Sequence, residues 1–383
     1  MRCVVVGLGA MGACALAELA RRGLRPLGLD RFSPPHDLGS SHGGSRVIRL
    51  SYFEHPDYVP LLRRSYELFD RMSRDAGETL RHETGLVVGG ATGNAAAAGM
   101  LRSAREHGLD VEALDGREFV RRFPVFRVPA DWECVFEARG GFVRPERTIA
   151  AALADATRHG AEIRTRAPIA TWGAGPGGAW VECDGKRLET DALVLSAGSW
   201  MPGLLGGRVA PLRPTRETIA WLDDRGDAGL SRPGMPVWLF DRGPEPAVYG
   251  VPRFAGMEAP GGIKIALHGA GPEVAPEAIR DAVDEKAVAR TVGAAGERLA
   301  AAAPLRVVAA RHCLYTMSPD GHFVVGLHPE AAGSRVAIAC GFSGHGFKFA
   351  PVVGEALADL ATSGETRLPI GFLSSRRFGS PTA

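Results

Sequence analysis

Lysine is nearly missing from this chain: of its 45 basic residues, four are lysines (Lys186, Lys264, Lys286, Lys348) and the rest are arginines. Generic positive charge is therefore supplied by arginine, so a lysine inside an apolar segment marks a place where a compact ammonium, able to lose its proton, is wanted. Lys264 and Lys348 both stand in such segments. Runs of like charge are also absent. The formal net charge of +2 comes from interspersed acids and bases, which speaks against nucleic acid or an anionic membrane as partner. No apolar run approaches the roughly 20 residues that span a bilayer, since Arg, Asp or Gly interrupts each candidate. The six cysteines (Cys3, Cys14, Cys134, Cys183, Cys313, Cys340) have no CxxC and no ligand-like spacing. That speaks against a disulfide framework and a metal site, and leaves free thiols. Met1 to Val6 leads straight into a glycine turn with no cleavable leader, so the expectation is a cytoplasmic protein.

What is present is enough for two cores: 383 residues with 45% hydrophobic content predict two domains. Arg2 to Val6 is a β-branched apolar run, Gly7-Leu8-Gly9-Ala10-Met11-Gly12 turns the chain, Ala13 to Arg22 has helical composition, and Pro26 to Asp30 is a second strand ending in an acid. Strand, glycine turn, helix and acid-ended strand is the order of a dinucleotide site. There the glycines admit the pyrophosphate, the helix N-terminus faces it, and Asp30 can accept from ribose hydroxyls. Downstream, helices are expected at Tyr58 to Arg74, Ala95 to His107 and Pro145 to His159, with strands at Thr84 to Val88, Glu162 to Thr165 and Ala192 to Ser196. Between about Arg208 and Arg311 the texture changes to apolar strand-like runs broken by Pro and Gly, with one helix near Pro276 to Val292, which reads as a separate substrate domain. From Arg335 to Leu360 the strand, glycine loop and helix pattern returns, so the first domain is assembled from distant pieces of chain.

Two further segments carry chemistry. Gly341-Phe342-Ser343-Gly344-His345-Gly346-Phe347-Lys348 sets three glycines before a helix; its amides suit an electronegative part of a cofactor, with His345 and Lys348 projecting toward it. In Ser40-Ser41-His42-Gly43-Gly44-Ser45-Arg46-Val47-Ile48-Arg49, the spacing of three separates the directions of the two arginines. One can face the cofactor while the other clamps a carboxylate; two surface arginines are the alternative.

With GLGAMG, SSHGGSRVIR, YGVP at Tyr249 to Pro252, GGIKIALH at Gly261 to His268, HCLYTMSPD at His312 to Asp320 and GFSGHGFKF at Gly341 to Phe349, the chain resembles, nearly end to end, the sarcosine and N-methyltryptophan oxidases of the glycine/D-amino-acid oxidase family. The resemblance implies an α/β fold: a Rossmann-like FAD-binding domain (1–80, 141–207 and 312–383) interleaved with an α+β substrate domain (81–140 and 208–311) on a mostly antiparallel sheet. It implies FAD tethered through a thioether on Cys313, with Tyr315 at the matching position beside it. Cofactor contacts are expected from Gly7, Gly9, Met11, Gly12, Asp30, Arg31, Ser41, His42, Arg46, Ile169, Ala197, Gly198, Trp200, Gly344, His345, Gly346 and Lys348.

The same resemblance gives Lys264 the reaction of reduced flavin with oxygen, which a nearby positive charge promotes. It places Tyr249 and His268 on the substrate cavity, His345 and Lys348 beside flavin and substrate carboxylate, and Arg49 on that carboxylate. The implied activity is oxidation of an N-methyl or cyclic secondary amino acid to an imine, with oxygen reduced to hydrogen peroxide, by a monomer. A biosynthetic oxidase of a cyclic imino acid or primary amino acid, a nicotinamide-dependent dehydrogenase and a flavin binder without turnover are the alternatives. Family members usually carry an acid near Gly44 and a His near Leu50. This chain has neither, which leaves the substrate's identity open.

Overall fold

The computed structural model describes residues 1–223, 235–254, 256, 260–300, 306–331 and 333–379. Stretches of the segments assigned by sequence to the substrate domain (224–234, 255, 257–259, 301–305) and to the FAD-binding domain (332, 380–383) lie outside the described residues.

The apolar run at the start of the chain becomes strand Cys3–Val6, buried along its whole length. It lies inside a six-stranded sheet, between Ala192–Leu195 and Leu27–Leu29, and pairs with both in parallel. Glu162–Arg164 and Arg335–Cys340 extend the parallel set, and Val324–Leu327 closes one edge antiparallel. A strand buried on both faces needs apolar residues at every position rather than alternation. Here Cys3 and Val5 join the helical side of the core, while Val4 and Val6 join the other side. The helical side is built by Ala10–Arg21, Pro145–Arg158 and Ala350–Ser363. Small residues let these helices approach closely: a Cβ on Gly354 would stand 2.6 Å from that of Cys14. A three-stranded antiparallel sheet, Ile169–Gly175, Gly178–Cys183 and Lys186–Thr190, covers the opposite face.

The second body is an eight-stranded sheet in the order Val307–Met317, Arg213–Leu222, Ile263–Leu267, Glu245–Val251, Val237–Arg242, Leu86–Gly90, Glu133–Glu137, Glu112–Asp115. It is antiparallel except where Val237–Arg242 runs parallel to Leu86–Gly90. Alternation along each strand separates two faces. Ile263, Ile265, Trp238, Phe240 and Val87 pack under helices Gly116–Arg122 and Glu285–Gly296. Lys264, Ala266, Tyr249, Leu239 and Val88 line a cavity on the other side. Where one helix was expected over Pro276 to Val292, the chain forms a 3₁₀ turn at Pro276–Arg280 and a separate helix at Glu285–Gly296. Asp284 starts that helix by accepting from the Lys286 amide at 2.9 Å, a side-chain cap that favours a fresh N-terminus. A small sheet of Arg46–Ile48, Gly141–Val143 and Arg81–Glu83 carries Arg46 between the two bodies.

Candidate active site

A cleft of about 420 Å³ runs from the first glycine turn to the C-terminal glycine loop. Gly7, Gly9, Met11, Asp30, Arg31, Ser41, Arg46, Ile169, Ala197, Gly198, Trp200, Gly344 and Gly346 line it. Gly7 has φ +84, and a Cβ there would stand 2.7 Å from the Ala197 Cα, so the turn tolerates no side chain. Gly12 is one step removed from the cleft; a Cβ on it would fall 1.8 Å from the Gly7 carbonyl oxygen, so it packs the helix against the turn. The helix Ala10–Arg21 opens here with no side-chain cap and no acid in its first turn. Its free amides and positive dipole end suit a pyrophosphate. Asp30 closes the second strand with its carboxylate accepting from the amides of Leu8 and Phe32, both at 2.7 Å; it therefore shapes the turn while still lining the cleft. Arg31 stacks at 5.0 Å over Trp200, whose indole donates to Glu277. His42 is buried away from the cleft lining, with neither ring nitrogen hydrogen-bonded among the described residues, and burial holds its pKa near 3.

A second, smaller cavity of about 70 Å³ meets this cleft at Arg46, Tyr315, Gly344 and Phe347. Cys313 and Tyr315 share one face of Val307–Met317, because alternate residues of a strand point the same way, and both are buried with Ile219 and Trp221. Burial pushes the Cys313 thiol up, against the nearby charges of Arg46 and Lys264, and the Arg46 guanidinium lies 3.4 Å from its sulfur. Gly344, at φ +80, lets the loop lie against the Tyr315 ring, where a Cβ would come to 2.2 Å.

The polar content of this cavity is concentrated in a few buried charges. Arg49, 3% exposed, holds Glu54 at 2.6 and 2.8 Å and stacks over the Phe53 ring at 4.1 Å. Burial alone would raise the Glu54 carboxyl, but Arg49, with Lys348 adding to it, holds it near 2. Burial and Arg49, against Glu54, bring Lys348 down to about 7; its ammonium donates to the His345 carbonyl at 2.7 Å. His345 has both ring nitrogens engaged, with the Tyr52 hydroxyl and with the Gly321 carbonyl, and burial keeps its pKa near 3. It is thus a fixed neutral imidazole. His268 faces the Tyr315 hydroxyl at 3.4 Å, with burial bringing it to about 4, and burial lifts Tyr249 to about 12.

Lys264 is 1% exposed, and burial pulls its pKa well down. Its ammonium donates to the carbonyls of Gly43 and Ser45. The same loop is held from behind: Gly43 and Gly44 donate their amides to the Glu146 carboxylate at 2.6 and 3.1 Å. Glu146 reaches this loop from the helix Pro145–Arg158. Near Leu50, Glu137 accepts from the amides of Leu50 and Ser51 at 2.7 and 2.8 Å and fixes the backbone just after Arg49.

The structure therefore brings Arg49, Tyr249, Lys264, His268, Cys313, Tyr315, His345 and Lys348 onto one cavity, and the dinucleotide residues onto the adjoining cleft, with His42 and Gly12 set behind the lining. Sequence reasoning missed Tyr52, Glu54, Glu137, Glu146 and Glu217. Glu54, five residues after Arg49, had a local signal in its spacing; the others meet the site only through tertiary contact. The open helix N-terminus and the Gly7 turn, which has no room for a Cβ, fit an FAD. Among the described residues no group of three or more His, Cys, Asp or Glu is placed to hold a metal, and no helix is long and apolar enough to cross a membrane.

Residues 2–360 match the family model described as FAD dependent oxidoreductase. The chain is 40% identical over 381 residues to a monomeric sarcosine oxidase of Streptomyces avermitilis, covering 99% of this chain and 98% of the relative. It is 32% identical to an N-methyl-L-tryptophan oxidase of Salmonella arizonae over 94% of both chains. Among solved structures, NikD, described as an unusual amino acid oxidase essential for nikkomycin biosynthesis, superposes with TM-score 0.83 at 23% identity, covering 97% of this chain and 96% of NikD. A glycine oxidase of Geobacillus kaustophilus gives TM-score 0.79 at 20% identity, covering 98% of this chain and 99% of that one. At that identity the likeness is one of fold.

Proposed function

We propose, from the premise that this chain belongs to the FAD dependent oxidoreductase family, that it oxidises a small N-methyl or cyclic secondary amino acid and releases an imine and hydrogen peroxide. Family membership decides against a nicotinamide-dependent dehydrogenase. The observation that carries the substrate reading is the pair of buried cations, Arg49 and Lys348, in a small cavity with apolar walls that opens onto the dinucleotide cleft. Two buried cations beside one carboxylate, Glu54, leave net positive charge for the carboxylate of an amino acid. The cavity, about 70 Å³, has room for a few waters, and sarcosine and proline are the small amino acids taken as its substrates in this reading. The name of the Streptomyces relative supports a monomer.

In this reading FAD is held at Gly7 to Gly12, Asp30 to Arg31, Ser41 to Arg46, Ile169, Ala197 to Trp200 and Gly344 to Lys348, and it is attached through Cys313. The cofactor supplies the oxidation of the C–N bond and the reduction of oxygen. The chain supplies the rest. Arg49 and Lys348 bind and orient the carboxylate, with Glu137 fixing the backbone behind Arg49. Val88, Leu239 and Ile219 exclude water from the reacting nitrogen, and orientation of this kind is worth several kcal/mol of barrier. Lys264, pinned by Gly43 and Ser45, is the positive charge offered to oxygen. Residues 1–80, 141–207 and 312–383 form the domain that holds the cofactor, and residues 81–140 with 208–311 form the one that covers the substrate. Strand Val307–Met317 crosses that boundary and carries Cys313 and Tyr315 to the junction. Peroxide release on a panel of primary, N-methyl and cyclic amino acids tests the reading. Release with sarcosine or proline supports it, and a silent panel refutes it.

A further inference from the structure

The strand Arg213–Leu222 pairs along its length with Val307–Met317, but on its other side it pairs with Ile263–Leu267 only from Ile219 to Leu222. Pairing on that side resumes at Thr215, which is bridged to Glu273, and the Glu217 side chain fills the short interruption between. Its carboxylate accepts from the amides of Ala270 and Gly271, both at 3.0 Å, and from the Thr215 hydroxyl at 2.8 Å. The loop approaches so closely that a Cβ on Gly271 would lie 2.0 Å from the Arg216 carbonyl oxygen. On one side of this interruption is the inner cavity described above. On the other is a separate cavity of about 50 Å³ with walls that include Thr218, Thr291 and His312 and a mouth at the exposed residues Asp284 and Arg290. Among the described residues Glu217 is the single side chain that lines both cavities. The outer cavity has apolar walls at Leu267, Pro272 and Ala287 and polar groups at Glu217, Thr218 and Thr291, and it has room for roughly three or four waters. His312, 5% exposed, turns Nε2 to the Ala282 carbonyl and leaves buried Nδ1 without a partner among the described residues.

We propose that Glu217 accepts the proton that an amino-acid substrate must lose from its nitrogen, and hands it to solvent through this outer cavity. The proposal rests on the reading of the inner cavity as the substrate site. A free amino acid is a zwitterion at neutral pH, and an ammonium nitrogen has no lone pair to assist oxidation of the adjoining C–H bond. One N–H bond therefore breaks with its electron pair left on nitrogen, and an O–H bond forms on the carboxylate. The carboxylate keeps that proton while the amino acid is bound and, after turnover, passes it to water in the outer cavity and to bulk; no electrons are transferred.

Other groups facing the inner cavity are poor acceptors. Glu54 is locked to Arg49; His268 and His345 are neutral and held near 4 and 3. Tyr249 and Tyr315 are protonated hydroxyls whose pKa burial raises. Arg46 and Arg49 are cations and Cys313 is a thiol, while Lys264 and Lys348 are turned onto backbone carbonyls, of Gly43 and Ser45 and of His345. The groups facing Glu217 from the outer side are His312, Asp284, Arg216 and Arg290. Glu217 has no ion-pair partner among the described residues, and burial, against its three hydrogen bonds, raises its affinity for a proton.

The test uses the flavin-loaded enzyme and two isosteric ligands, followed by perturbation of the flavin absorbance. One is 2-aminoisobutyrate, a zwitterion with no hydrogen on the carbon bearing nitrogen; the other is pivalate, the same shape without the amine. Glu217→Gln can remake all three hydrogen bonds, accepting the two amides on oxygen and donating to Thr215. Wild type is expected to bind 2-aminoisobutyrate, relative to pivalate, with an affinity that hardly varies between pH 6.5 and 8.5, because the proton stays within the complex. In Glu217→Gln that ratio should fall roughly tenfold for each pH unit lowered, with pivalate affinity unchanged. A ratio as flat in the variant as in wild type overturns the proposal. Failure of both ligands to perturb wild type overturns instead the substrate-site reading beneath it. Ala287→Leu, which fills the outer cavity, should delay by at least tenfold the appearance of the proton in an indicator dye after a single anaerobic turnover. An undelayed proton overturns the outlet.

Discussion

The two adjoining hollows of this molecule are built from different materials. The dinucleotide cleft is shaped at its ends by glycine turns, an uncapped helix N-terminus and one acid that holds its own turn. The inner cavity is mostly buried side-chain charge, with Arg46, Arg49, Glu54, Glu217, Lys264 and Lys348 set among apolar walls. A cleft shaped by glycine turns recognises a constant ligand and tolerates little change. A cavity of balanced charges sets protonation and specificity, and each member matters through its partners, since removing one leaves another buried and unpaired.

Changes at single residues can break this contrast. The largest expected effect is at the seam. Cys313→Ala should abolish the covalent link completely, so that the band on a denaturing gel loses flavin fluorescence while the folded protein still binds FAD in the cleft; a band that stays fluorescent puts the link elsewhere. Next is Lys264→Met, which removes a buried charge without touching the cleft. Reoxidation by air should slow roughly 10²- to 10³-fold, with anaerobic flavin reduction within a few-fold of wild type, both read by stopped-flow absorbance. Equal slowing of the two steps would remove the oxygen role. Arg49→Ala leaves Glu54 buried without its partner and should raise the KM for amino acids roughly a hundredfold, with little effect on amines that lack a carboxylate. The smallest effect is one of pH. Lys348, brought to about 7 by burial and Arg49, is a cation below that pH and neutral above it. Pivalate should therefore bind up to about tenfold more weakly as pH rises through 7 to 9, and Lys348→Met should flatten that dependence.

The same contrast explains what could be read from the chain. Gly7, Gly9, Gly12 and Asp30 were legible because backbone geometry demands glycine at fixed spacing and a strand ends in the acid. Helices such as Ala95–His107 were legible from their apolar period, whereas the break at Asp284 was not, because a cap competes with an otherwise continuous pattern. Lys264 and Lys348 stood out only because lysine is so scarce. Glu217, Glu137 and Glu146 were invisible: their carboxylates meet backbone amides 53, 87 and 103 residues away in the chain, and no local pattern encodes such a contact. The small volume of the inner cavity was equally hidden, since its walls come from several separate strands.

The account stands or falls on whether an amino acid reduces the bound flavin. Anaerobic addition of sarcosine or proline to the yellow protein should bleach its visible absorbance within seconds, and readmission of air should restore the colour with one peroxide per turnover. Flavin that stays oxidised with every primary, N-methyl and cyclic amino acid tried would contradict it.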